Sequence, residues 1–252
     1  MIRLILRQYR SLILTTLVAV VALELVLLWH GLKTADLTAA ATAAGCPTGP
    51  RCSEVSFQVL DRYKQLGLPL EFFIVVPVLI GAFWGAPLLA REFEQHTACM
   101  AWTQSISRRR WLATRWLVLG ATVTACGAAA SAGITWWSER YRNLLTLTGG
   151  HPQALLAQSR GLGPPIWWLS SFLIGAACGV VTRRTLPAMA LTGGLLLALT
   201  IGMSLTHNAF HASLTGWGTE LVAAQAIDAG VLLGVAAVAV ATCLWLIDRA
   251  AV

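Results

Sequence analysis

The sequence predicts an all-α polytopic membrane protein. Six transmembrane helices are expected, with an N-terminal interfacial helix and a short cytoplasmic helix between the second and third spans. Three observations carry this. Of 252 residues, 57% are hydrophobic and only 12% charged, and the mean hydropathy is +0.69, well outside the balance of a soluble domain. Apolar runs recur at the length that a ~30 Å hydrocarbon core demands. Arginine and tryptophan collect at the ends of those runs, where headgroups would lie.

In order, Met1 to Arg10 sets Arg3, Arg7 and Arg10 at three- and four-residue intervals among Ile2, Leu4, Ile5, Leu6 and Tyr9. That spacing suits an amphipathic helix lying on a membrane surface. A signal-peptide start is the weaker reading, because the run that follows exceeds a normal signal core. The spans fall at about 11–32, 68–90, 111–137, 165–181, 186–206 and 221–247. All belong to a single transmembrane domain covering 1–252.

Six spans place both termini on one side, and charge decides which. Arg3, Arg7, Arg10, Arg91, Arg108, Arg109, Arg110, Arg115, Arg183, Arg184 and Arg249 share the side of the termini. Lys33, Arg51, Arg62, Lys64, Arg140, Arg142 and Arg160 are spread over longer loops on the other. The denser side is cytoplasmic by the positive-inside rule, which gives an inner-membrane protein with both termini in the cytoplasm. Tryptophan agrees: Trp29, Trp136, Trp137, Trp167 and Trp168 fall at outer ends, and Trp111, Trp116 and Trp245 at inner ends.

The outer loops are expected at 33–67, 138–163 and 207–220, none long enough for a separate domain. The first ends in SEVSFQVLDRYKQLG, which reads as a short surface helix, and contains Cys46 and Cys52, a candidate disulfide on an oxidising face. Cys99, Cys126, Cys178 and Cys243 read as packing residues. Pro77 and Pro87 are expected to kink the second span. Small pairs at four-residue spacing, Gly81 with Gly85, Gly175 with Gly179 and Gly230 with Gly234, let helix backbones approach in lipid, either within the chain or across a dimer.

Catalytic signatures are missing from the sequence. It has no GxxxxGK[ST] phosphate loop, no GxSxG elbow and no HExxH helix. The net charge of +7 lies beside apolar runs rather than along a basic stripe, so nucleic acid is not an expected partner. No Cys/His cluster has zinc spacing, and His207 with His211 reads as an interfacial loop rather than a metal site. Glu24 and Asp228 lie inside the first and last spans. An intramembrane carboxylate is a candidate for a translocation path by default.

The chain is organised around a charged island at 91–110. It has an acidic head (Glu92, Glu94), apolar anchors (Phe93, Met100, Trp102, Ile106) and a basic tail (Arg108, Arg109, Arg110). Ionised groups are excluded from the bilayer centre, so the island lies at the surface. The tail fits a headgroup anchor, but acids gain nothing from an anionic leaflet. The segment GAPLLAREFEQHTACMAWTQSISRRRWLATRW, Gly85 to Trp116, resembles the region between spans two and three of actinobacterial type-2 ABC exporter permeases. It departs from them in having Gln95-His96-Thr97 where a glycine is expected before the threonine.

That resemblance implies a permease subunit that pairs with a second copy, as a homodimer, and with two separate ATP-binding subunits. ATP and Mg would reside on those partners, with no cofactor on this chain. The island would be the coupling helix, with Arg91, Glu92, Glu94, Thr97, Trp102, Thr103 and Gln104 contacting the ATPase. Met1 to Arg10 would be the connecting helix, and 207–220 would form short helices capping the outer end of the path. Exported cargo would be a small hydrophobic or amphiphilic compound or peptide, as in drug or antibiotic resistance. Two other classes fit the residues: an ion-coupled carrier or channel using Glu24 and Asp228, and a membrane scaffold or immunity protein without transport.

Overall fold

The computed structural model describes residues 2–95, 108–149, 159–211 and 219–249. Its elements are α1 (Ile2–Gln8), α2 (Arg10–Leu32), α3 (Thr34–Ala43), α4 (Cys52–Glu71), α5 (Val76–Ile80), α6 (Ala86–Glu94), α7 (Arg108–Leu147), α8 (Gly163–Thr182), α9 (Thr185–His211) and α10 (Thr219–Arg249). A 3₁₀ turn (Phe72–Val75) joins α4 to α5, and a π turn (Gly81–Gly85) joins α5 to α6. The described residues contain no strand. Among the described residues, six helices are long and apolar enough to cross a membrane.

The proline positions explain why the second span is broken into pieces. A proline ring clashes with the carbonyl four residues before it and removes one helical hydrogen bond. Four residues before Pro77 is Phe73, inside the 3₁₀ turn, and four before Pro87 is Phe83, inside the π turn. Each non-α turn therefore sits where a proline forbids the α-helical bond.

Helix α8 is the hub. It packs against α5, α6, the π turn, α7, α9 and α10. Its buried residues include Trp168, Ser170, Ser171, Phe172, Ile174, Gly175 and Gly179. Approach to the second span is backbone to backbone. A Cβ on Gly175 would stand 2.9 Å from the Ala86 nitrogen, one on Gly85 2.9 Å from Gly175 Cα, and one on Gly179 2.5 Å from the Ala86 carbonyl oxygen. Two of the three small pairs are thus used inside the chain, against each other. Gly230 and Gly234 have nothing within 4 Å of a built Cβ.

The expected first outer loop is mostly helix. α2 runs almost directly into α3, and α4 returns from Cys52, with Cys46 and Cys52 bonded at a Cα separation of 5.2 Å. The short apolar run in α3 and the amphipathic face of α4 can form helices here because a third helix covers them. α7 has 40 residues, about 60 Å at 1.5 Å per residue, and so extends beyond the expected end of its span. Ala41, Val55, Val59 and Leu144 form a small core between α3, α4 and the end of α7. Below it, Leu27, Leu70, Ile134, Trp137 and Tyr141 form a second, where Tyr63 stacks on Trp137 at 5.6 Å. Of the third small loop, 207–211 continue α9 and 219–220 begin α10. The remainder lies outside the described residues.

Paired cations and aromatics mark both membrane boundaries. At the disulfide end, Lys33 Nζ lies 3.5 Å from the Trp29 ring centre and the Arg140 guanidinium 4.6 Å from that of Trp136. At the other end, Arg249 lies 4.0 Å from Trp245. Such pairs suit the interface, where ring and charge each find their medium.

Gly175→Leu should cost about 2 kcal/mol by overpacking, lowering the thermal midpoint in detergent. Gly230→Ala, facing open space, should leave it unchanged or slightly raised, because alanine is the better helix former.

Candidate coupling site at the end of the second span

The apolar run of the second span ends at Ala90, and the last turn of α6 carries Arg91, Glu92, Phe93 and Glu94. Glu92 turns inward. Its carboxylate pairs with the Arg115 guanidinium, the two side chains being 15% and 8% exposed. Arg115 lies two turns into α7, too deep for a cation to stand alone, so it needs an acid at the same depth. Tyr9, between α1 and α2, lies in the field of both charges, and burial pushes its phenol above the usual range. Three separate parts of the chain meet here, and Ile5 of α1 is buried in the same core.

Glu94 turns the other way. It accepts hydrogen bonds from the Thr185 hydroxyl at 2.6 Å and the Thr185 backbone N–H at 3.1 Å. Thr185 is the first residue of α9, where free N–H groups and the helix dipole favour an anion. The preceding turn is tight. Arg183 takes a left-handed backbone (φ 53°) and closes α8 with an N–H bond to Gly179 at 3.1 Å. The bonds from Thr185, with Arg184 and Arg91 nearby, hold the Glu94 carboxyl below its ordinary range. This tie therefore stays charged through neutral pH and is lost only as pH falls through that lowered value.

Glu92 and Glu94, expected as contacts to another protein, thus have partners within the chain. Arg91 is exposed. Thr97, Trp102, Thr103 and Gln104 lie outside the described residues, as do Cys99 and the side chains of Arg3, Arg108 and Arg109. Arg7, Arg10 and Arg110 are exposed. Sequence reasoning missed Arg115 and Thr185. The signal for Arg115 was present, an arginine four residues inside an apolar run with an acid just outside the preceding one. Nothing in the sequence marked Thr185.

The structure does not bring Glu24 and Asp228 into one site. Glu24 packs on α7, where a Cβ on Gly133 would stand 2.5 Å from its carboxyl carbon, and its Oε1 is buried with no hydrogen-bond partner among the described residues. Asp228 is on α10, which packs on α8. It lies one turn from Gln225, whose amide donates to the Arg160 carbonyl at 2.9 Å. The His207 and His211 side chains lie outside those described. No group of three potential metal ligands forms among the described residues, and Cys126, Cys178 and Cys243 are buried thiols.

Arg115→Met should destabilise the protein by about 3–5 kcal/mol, because it takes the guanidinium away from a largely buried carboxylate. Adding Glu92→Leu should recover most of that loss in chemical unfolding, since an apolar pair of similar volume avoids the desolvation cost.

No curated protein and no solved structure matches the chain. A model of the family described as ABC-2 membrane transporter related matches residues 17–207. With that match covering most of a six-span helical bundle, the chain belongs to the ABC-2 membrane transporter related family and is a multi-pass transporter permease subunit.

Proposed function

We propose that this chain is the membrane-spanning subunit of an ATP-driven exporter that moves a small hydrophobic or amphiphilic compound or peptide. Two copies form a homodimer in the inner membrane, with both termini in the cytoplasm, and two ATP-binding subunits carry ATP and Mg. The chain hydrolyses no ATP itself. Residues 91–110 are the coupling segment. Arg91, Thr97, Trp102, Thr103 and Gln104 face the ATPase, while Glu92 and Glu94 fasten the segment to its own bundle.

The observation that carries this reading is the double tie of α6. A displacement of the segment after Glu94 is delivered to α7 through Glu92 and Arg115, and to the α8–α9 turn through Glu94 and Thr185. A surface loop held on one side would absorb the push instead. Family membership supports the ATP-binding partner.

The test is co-purification in mild detergent followed by reconstitution. Arg91→Glu should weaken recovery of the ATP-binding subunit by about tenfold, the loss of one charge-assisted contact. The Arg115→Met, Glu92→Leu double variant should keep the complex but lose transport per ATP hydrolysed. Gln95→Cys should react with an impermeant maleimide only after the cells are opened. Labelling from outside, or failure to recover any ATPase, would overturn the proposal.

One observation favours a second reading: the partnerless Glu24 oxygen in the first span. An ion-coupled carrier built on it would transport after ATP depletion and stop with Glu24→Gln, whereas the exporter stops with ATP.

A further inference from the structure

Helix α8 has 20 residues, about 30 Å at 1.5 Å per residue, which just spans a ~30 Å hydrocarbon core. Only Arg183 and Arg184 separate its end from the start of α9. A connection that short cannot rise clear of the membrane, so both guanidinium groups are held at the depth of lipid phosphates. Both residues are exposed, and among the described residues neither side chain has an ion-pair or hydrogen-bond partner. Apolar side chains flank the pair. Val181 is 54% exposed and Leu186 79%, the most exposed large apolar side chain among those described.

The backbone supplies the second observation. Arg183 is the one non-glycine residue with a positive φ among the described residues. Glycine ordinarily closes a helix in this conformation, because a Cβ there crowds the backbone. An arginine works against its own backbone here, so the compensation has to come from its side chain. Among the described residues its guanidinium lies over Phe93, 5.8 Å from the ring centre, near the outer limit of a cation–π contact. That leaves its five N–H donors for something outside the chain.

The nearest acid does not neutralise the turn. Glu94 is committed to Thr185, and both Arg91 and Arg184 lie in its field. Arg183 adds a third cation, so positive charge is in excess. Guanidinium groups match a phosphate with paired N–H donors. Two adjacent cations also favour a headgroup of net negative charge, because the choline of a zwitterionic lipid would be repelled.

We propose that the α8–α9 turn binds an anionic phospholipid, its phosphodiester held by Arg183 and Arg184 and its acyl chains beside Val181 and Leu186. The lipid then sits on the same turn that receives Glu94. Binding needs no ATP-binding subunit and no particular orientation in the membrane, so it fails separately from the exporter reading.

The test uses the full chain in phosphatidylcholine nanodiscs doped with one of two lipid probes, a phosphatidylglycerol or a phosphatidylcholine, each with a diazirine near the head of one acyl chain. Cross-linked peptides are mapped by mass spectrometry. Phosphatidylglycerol should label residues 181–187 about tenfold more than phosphatidylcholine, the worth of one charge-assisted contact. Arg183→Gly relieves the left-handed backbone while removing the guanidinium. It should hold or raise the thermal midpoint and still bring the two probes to within about twofold of each other. Leu186→Glu, at an exposed position, should suppress phosphatidylglycerol labelling by like-charge repulsion, which keeps the proposal testable if Arg183→Gly does not fold. Soluble glycerol phosphate in excess should leave the labelling unchanged, because it brings no chains. Equal labelling by the two probes in the unmodified chain, displacement by glycerol phosphate, or an undiminished preference in folded Arg183→Gly would overturn the proposal. So would a phosphatidylglycerol preference as strong at Trp245 to Arg249, the mark of a general attraction to arginine. Loss of the ATP-binding subunit from Arg183→Gly with lipid labelling unchanged would overturn it in favour of a protein contact.

Discussion

Two backbones drawn together at Gly81, Gly85, Gly175 and Gly179 are the constraint on which the arrangement depends. In a bilayer no hydrophobic force presses helices together, so contact must come from close packing, and any side chain at these positions would hold the axes apart. With the second span locked to α8, the other spans take their places around that pair. The prolines are part of the same solution. They break the second span into short pieces with 3₁₀ and π turns, and this lets Gly81, Gly85 and Ala86 all reach α8. The cost of the broken hydrogen bonds is met by contact that a straight helix would not make.

From that pairing, the charged end of α6 acquires its geometry. Ala86 and Ala90 are fully buried, so the next turn emerges at a fixed angle, with Glu92 facing α7 and Glu94 facing the start of α9. A buried ion pair is a weak source of stability but a strong determinant of position, because only one geometry satisfies both charges. The pair thus fixes the last turn of α6 against α7.

The fold class was legible because bilayer thickness translates directly into run length, and the six spans follow from apolar runs alone. Ends were less legible. Of the first outer loop, the helix over SEVSFQVLDRYKQLG was legible and lies within α4, whereas the one over TAAATAA was hidden because it is covered by the far end of α7, a partner distant in sequence. Of the candidate site, the acids were legible but not their partners within the chain. Glu92 and Glu94 stood out as acids without a reason to be at a membrane surface, and the reason lay in Arg115 and Thr185, contacts distant in sequence.

The unbroken length of α7 has a mechanical consequence. Its lower part holds Arg115, and its upper part, past Trp137, is gripped by α3 and α4. A helix about 60 Å long that pivots near its middle by about 5° carries each tip sideways by between 2 and 3 Å. Ser131, near the middle of the rod, donates to the Gly161 carbonyl at 2.6 Å. A tilt about that point would carry its two ends in opposite directions, the end beside α3 and α4 by the smaller amount because it is the shorter arm.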